Sequence, residues 1–171
     1  MKKTILLLLL GVSLGTQAQQ KTEVSERNKE MTRKILQAFD NGDTDALDKL
    51  IVENPVEHGE MPPDIKSKGL EAVKEMCRMQ KTAFPDIKTN IHVMATAGDT
   101  VIAFYTSEGT NTGPFMGMPA TNKSFRIEGV DIIRFENGRA VEHWGVYDNL
   151  KMMQQLGMMP PAPPSVRNKK Q

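Results

Sequence analysis

The stretch that most constrains this chain is Phe125 to Asp148, FRIEGVDIIRFENGRAVEHWGVYD. Two runs rich in β-branched and aromatic residues flank Glu136-Asn137-Gly138-Arg139. Asn-Gly between such runs predicts a two-residue hairpin, because a type I′ turn needs positive φ at both central positions. With an unbroken ladder, Glu136 faces Arg139, Ile133 faces Glu142, Asp131 faces Trp144 and Ile127 faces Asp148. Side chains alternate across a strand. One face would then carry Phe125, Ile127, Gly129, Asp131, Ile133, Phe135, Glu142, Trp144, Val146 and Asp148. Acids on a mostly apolar face are costly unless they are paired or stay neutral. Asp131 and Asp148 converging with Trp144 therefore point to a pocket, although single acids there would also fit plain structural bonds to backbone or indole N–H groups. One bulge would exchange the faces of the second strand and bring His143 inward in place of Trp144.

The front of the chain is a different object. MKKTILLLLLGVSLGTQA has two lysines, an apolar run and small residues at its end, which is the pattern of a secretory signal. Cleavage is expected after Ala18, leaving Gln19 first, and the mature protein is expected to be exported, periplasmic or secreted, with no membrane contact afterwards. The globular domain is expected over 24–157, with 158–171 a disordered Pro-rich tail. With 22 basic and 21 acidic residues there is no electrostatic footprint for nucleic acid. Cys77 stands alone, so no internal disulfide forms, and its helical neighbours make it a small buried hydrophobe. His58, His92 and His143 lack any metal-ligand spacing, so no metal is expected.

Between these ends the pattern changes from period 3.6 to period 2. A helix is predicted from Val24 to Phe39, with residues 19–23 loose before it and Asn41-Gly42 stopping it. A short helix follows, capped by Asp43 or Thr44, with Ala46, Leu47, Leu50 and Ile51 on its buried face and Asn54-Pro55 at its end. Pro55 to Lys68 reads as a long loop, which makes His58 a candidate pocket residue. A third helix, capped by Ser67, runs from Leu70 to Phe84. Then 87–97 and 100–110 form a hairpin about Gly98-Asp99, with His92 facing Tyr105 and Val93 facing Phe104. The face of Ile91, Val93, Ala95 and Ile102 is expected to be the core face. A Gly/Pro/Met loop, 110–123, leads into the second hairpin, and a short helix from Leu150 to Leu156 ends at Gly157.

Helices set apart from an antiparallel sheet give an α+β fold. The segments FPDIKTNI, EGTNTGPFMGMPATNKSF and EGVDIIRFENGRAVEHWGVYD are similar to those of the SnoaL-like polyketide cyclase (ester cyclase) family, in the nuclear-transport-factor-2-like superfamily. The resemblance runs from about Glu26 to Gly157. It implies a cone-shaped barrel in which a curved antiparallel sheet wraps around the N-terminal helices. It implies cofactor-free acid/base chemistry: aldol cyclisation or isomerisation of a small apolar carbonyl compound, as in polyketide metabolism. The expected catalytic groups are Asp148, Asp131 and His143. The expected substrate pocket holds His58, Trp144, Phe104, Phe115, Met116 and Met118. The superfamily also implies a homodimer joined through its sheets. The competing expectation is a periplasmic module that binds a small apolar ligand without transforming it.

Overall fold

A computed structural model of the chain describes residues 3–59, 61–62 and 64–160, with residues 3–18 as backbone only. The cleavage-site side chain of Ala18 and the tail beyond 160 lie outside the described residues. Helix α1 runs Lys3–Asn41. Residues 19–23, expected to be loose, are therefore helical, consistent with the absence of any Gly or Pro between Gly15 and Gly42. Gly42, at φ +70, ends the helix region. Helix α2, Thr44–Leu50, is capped by Asp43, whose Oδ1 accepts from the Ala46 amide at 3.0 Å.

The expectation for the next segment is corrected. Ile51 does not complete a helix; it opens strand β1, Ile51–Glu57. β-Branched Ile51, Val52 and Val56 favour the extended form. Pro55 is tolerated because β1 is the edge strand of the sheet. Helix α3, Gly69–Ala83, starts later than the expected Ser67 cap permits. Lys68 holds the cap position without a side-chain bond, and Ser67 Oγ is buried with no hydrogen-bond partner.

Strands β2 (Lys88–Ala97), β3 (Thr100–Thr110), β4 (Ser124–Glu136) and β5 (Arg139–Tyr147) follow, then helix α4, Asn149–Gln155. The sheet order is β1-β5-β4-β3-β2. Four strands form the expected antiparallel array, and β1 adds a parallel pairing to β5 that makes the sheet mixed. Helices α1, α2 and α3 pack on one face, around Leu47, Cys77, Val101, Ile133 and Phe135. A second cluster joins Phe84, Phe125, Met152 and Leu156 at the α4 end. Cys77 is fully buried, as expected, and its thiol donates to the Ala38 carbonyl.

Two bulges decide which side chains face the helices. In the β4–β5 hairpin Asn137 and Gly138 have φ of +51 and +81, and Glu136 pairs with Arg139 as the turn chemistry requires. Phe135 then pairs with Ala140 but Arg134 pairs with Glu142, so Val141 is an extra residue. Beyond it Ile133 faces His143 and Asp131 faces Gly145, not Glu142 and Trp144. The expected β4 face survives: Phe125, Ile127, Asp131, Ile133 and Phe135 are all buried. On β5 the faces are exchanged.

In β2 the extra residue is His92, since Ile91 pairs with Tyr105 and Val93 with Phe104. The Val93 pair is as expected; the His92–Tyr105 pair is not. The expected core face is also corrected, because Val93 and Ile102 are 59% and 38% exposed while Val101, Ala103 and Tyr105 are buried. Apolar Phe104, Val130, Ile132 and Val146 stand on that same outer face. Hydrophobicity alone does not distinguish the two faces of such a sheet.

Candidate active site

The inner face of the sheet, α1, α3 and α4 enclose a cavity of about 480 Å³. Its walls are mostly apolar, with Leu36, Phe39, Met76, Met79, Phe115 and Ile127 among them. One side carries the polar groups Glu57, Tyr105, Asp131, His143 and Tyr147. The strands fix these five. β4 turns Asp131 inward, β3 supplies Tyr105, and the Val141 bulge turns His143 and Tyr147 to the same side. Glu57 comes from β1, where it pairs directly with His143.

Asp131 is 5% exposed. Its Oδ1 accepts from the Tyr147 hydroxyl at 2.8 Å and lies 3.2 Å from His143 Nε2. His143 Nδ1 lies 2.7 Å from Glu57 Oε2, and Glu57 Oε1 accepts from the Gly59 amide at 2.8 Å. The imidazole is thus held between two carboxylates. Burial pulls its pKa down, but the bonds and charges of Asp131 and Glu57 outweigh that and push it up to about 9. Burial raises Glu57, yet its bond to His143 prevails and holds it below the usual carboxylate value. At neutral pH the histidine is therefore a cation with its Nδ1–H on Glu57 and its Nε2–H on Asp131. Burial, reinforced by the Asp131 charge, raises both Tyr105 and Tyr147 well above the ordinary phenol range, so both remain proton donors.

The other expected site residues are distributed unevenly. Phe115 and Met116 line the cavity. Met118 pairs with Phe115 through the backbone and is not part of the lining. Phe104 faces the outer side of the sheet beside His92. Trp144, placed inward by the unbroken register, is also outside, where its ring stacks on His58 at 4.3 Å. His58 follows inward-facing Glu57 on the same strand edge and bonds Glu142 at 2.8 Å. Asp148 is exposed and caps α4, accepting from the Lys151 amide at 3.1 Å. Sequence reasoning did not single out Glu57, Tyr105 or Tyr147 for the site. Glu57 is a carboxylate next to His58 in a run containing Ile51, Val52 and Val56, and reading that run as a strand would have separated the two.

A family model for SnoaL-like polyketide cyclases matches residues 29–156. The chain belongs to the SnoaL-like polyketide cyclase family. Among curated proteins it is similar to two aklanonic acid methyl ester cyclases. DauD of Streptomyces sp. (strain C5) is 26% identical over 78% of this chain and 84% of that protein. DnrD of Streptomyces peucetius is 26% identical over 78% of this chain and 93% of that protein. Among solved structures, TsrD from Streptomyces laurentii superposes with a TM-score of 0.70 at 25% identity, covering 78% of this chain and 97% of that one. Wild-type IdmH from Streptomyces antibioticus gives 0.66 at 28% identity, covering 76% and 98%. The α+β cone-like fold of this SnoaL-like chain matches that of these structures.

Proposed function

We propose that this SnoaL-like protein is a cofactor-independent cyclase of the intramolecular aldol type, acting on a small apolar carbonyl compound with Asp131 as general acid/base. The observation that carries this reading is the buried Asp131 carboxylate on the polar side of an apolar cavity, held by His143 and Tyr147. A carboxylate oriented in a dry site can take a proton from carbon and later return it. Asp131 removes the proton next to a carbonyl, leaving an enolate. The enolate carbon bonds to a second carbonyl carbon of the same molecule, and the alkoxide so formed takes the proton back. Substrate and product are isomers. His143 and Glu57 hold Asp131 in place and supply the compensating cation.

The two cyclase relatives support an ester-bearing polyketide as the substrate class. The Lys2-Lys3 start and following apolar run support an exported protein that works after cleavage between Ala18 and Gln19. The exposed apolar side chains on the outer sheet face, Val93, Ile102 and Val146, support a homodimer; light scattering that gives a monomer mass at high concentration would exclude it.

The catalytic test uses the mature protein in heavy water with α-tetralone, a ketone with one enolisable position, and with aklanonic acid methyl ester. Deuterium should enter the α-carbon of the tetralone, and the ester should give a cyclised isomer of unchanged mass. Asp131→Asn should reduce both by about 100- to 10,000-fold, the usual contribution of a positioned acid/base. Undiminished exchange in that variant would remove Asp131 from the role.

A further inference from the structure

Two phenols, Tyr105 and Tyr147, meet at Asp131, and the acid/base reading uses them for nothing beyond holding it. Tyr105 on β3, Gly129 on β4 and Tyr147 on β5 form one row across three strands. Ala103, Asp131 and Gly145 form the next row. The two glycines create the room for the rings. A methyl on Gly129 would lie 2.9 Å from Tyr105 Cε2 and 3.0 Å from its Cζ. A methyl on Gly145 would overlap the Tyr147 hydroxyl and ring. The Tyr105 ring therefore lies across Gly129 in its own row, and the Tyr147 ring lies across Gly145 in the Asp131 row. The Tyr147 residue is 40% exposed, yet its hydroxyl is turned in on Asp131. The Tyr105 hydroxyl interacts with both Asp131 and the Tyr147 hydroxyl.

We propose that Tyr105 and Tyr147 are the oxyanion-binding pair of this site, donating to the oxygen on which enolate charge develops while Asp131 holds the proton taken from carbon. The inference rests on the acid/base role of Asp131. Before proton transfer, both donors are drawn to the carboxylate, because a hydrogen bond to a charged acceptor is the stronger kind. When the C–H bond breaks, its proton passes to Asp131 and its electron pair moves through the new C=C bond onto the carbonyl oxygen. Negative charge leaves one acceptor and appears on another a few bonds away. The phenols follow it by rotating O–H bonds, with little rearrangement of the protein. Because Tyr105 and Tyr147 resist ionisation, they donate without giving up their protons.

The test separates the donor pair from the base. Para-nitrophenol, whose ionised form has its own absorption band, mimics an enolate and needs no turnover. Asp131→Asn mimics the protonated base. That variant should bind para-nitrophenol as the phenolate, at a pH where the free dye is mostly neutral. Adding Tyr105→Phe or Tyr147→Phe keeps each ring on its glycine and should weaken phenolate binding by about 10- to 100-fold, the usual cost of a lost hydrogen bond to a charged group. Unchanged affinity in both Phe variants, a neutral bound dye, or no binding to Asp131→Asn would overturn the proposal. Exchange into α-tetralone distinguishes the two failures. Exchange that needs Asp131 but is unmoved by either Phe variant leaves the base standing and removes the pair. Phenolate binding that needs both phenols, without any exchange by the native protein, leaves the pair standing and removes the base.

Discussion

Adjacent residues of β5 carry two clusters of the same residue types to opposite faces of the sheet. Inside, His143 sits between Asp131 and Glu57. Turned towards the outer side, though also touching the cavity wall, Glu142 sits between His58 and Arg134, at 2.8 and 2.6 Å. The difference lies in the cation and in the solvent. Arg134 also reaches Glu136 and is always charged, so the outer network keeps a fixed cation. Its bond to Arg134, then its bond to His58, hold Glu142 below the ordinary carboxylate value. The inner cluster has only a histidine as its cation, faces an apolar cavity, and contains two donors besides. The outer set ties β1 to β5, whereas the inner set is suited to proton transfer, and one bulge decides which residues belong to which.

The strongest way to break that division is to take the cation out of the inner cluster. His143→Leu would leave the Asp131 and Glu57 carboxylates facing each other without it. The loss should be about 3–5 kcal/mol, the cost of breaking a buried ion pair by removing one partner, read from urea denaturation. Arg134→Met on the outer side should cost clearly less, because Glu142 there keeps His58 and water. Equal losses would show that the two faces are interchangeable.

Next in size is the charge substitution made once on each face. Asp131→Asn should lower tetralone exchange by about 100-fold or more, whereas Glu142→Gln should leave it within about twofold. Equal losses would mean that the outer network also governs the chemistry.

The inner cluster should also show itself in the pH dependence of stability. The folded pKa of His143 is raised to about 9 from an ordinary 6.5. The stability it contributes is fully present below pH 6.5 and is lost as pH rises through 9. Glu57, held below its ordinary 4.5, contributes above that value and loses its share as pH falls through the lowered pKa. Relative to His143→Gln, the native protein should gain on the order of 2 kcal/mol at pH 6.5 compared with pH above 9. Paired urea titrations across that window measure it. A difference that does not change with pH would mean that His143 is not protonated between its two acids.

Much of this was legible from residues, and the remainder has identifiable physical causes. Asn137-Gly138 specified its turn, and strict alternation on β4 placed Asp131 inward. β5 was not legible, because beyond Ala140 the two alternating sets, Glu142, Trp144 and Val146 against His143, Gly145 and Tyr147, do not differ enough in polarity to show which faces inward. The β2–β3 faces were read in reverse because Val93 and Ile102 are as apolar as the core side chains. β1 was missed because Pro55 and two polar neighbours, Glu53 and Asn54, conceal a strand that only an edge position permits. The motifs that carried the family resemblance describe scaffold more than chemistry. Phe84 is 2% exposed against Phe115 and Phe125. Asp86 accepts from the Thr110 amide at 2.7 Å. Asn111 is fully buried, donating to the Gly113 carbonyl and accepting from the Thr121 amide, each at 2.8 Å. They close the loop that brings Phe115 to the cavity. The tyrosine pair was not singled out, because its meaning depends on Gly129 and Gly145 on neighbouring strands.

The smallest expected effect sharpens the same comparison from its outer side. His58 stacks on Trp144 with the two planes 1° apart, and its Nε2 meets Glu142. Both contacts look substantial, yet the His58 side chain is 39% exposed. Water competes for the bond, salt screens the charge, and removing His58 leaves Glu142 its bond to Arg134. His58→Ala should therefore cost only about 0.5–1 kcal/mol, the range for an exposed pair with an aromatic contact, and the ion-pair share of it should shrink in high salt. Exchange activity should be unchanged, because the residue lies across the sheet from Asp131. Thermal melts at low and high salt, with exchange assays alongside, check all three. A loss of several kcal/mol would mean that the β1 edge depends on this contact. A loss of activity at full stability would couple the outer cluster to the inner one through Glu57 and His58, which are neighbours in the chain on opposite faces.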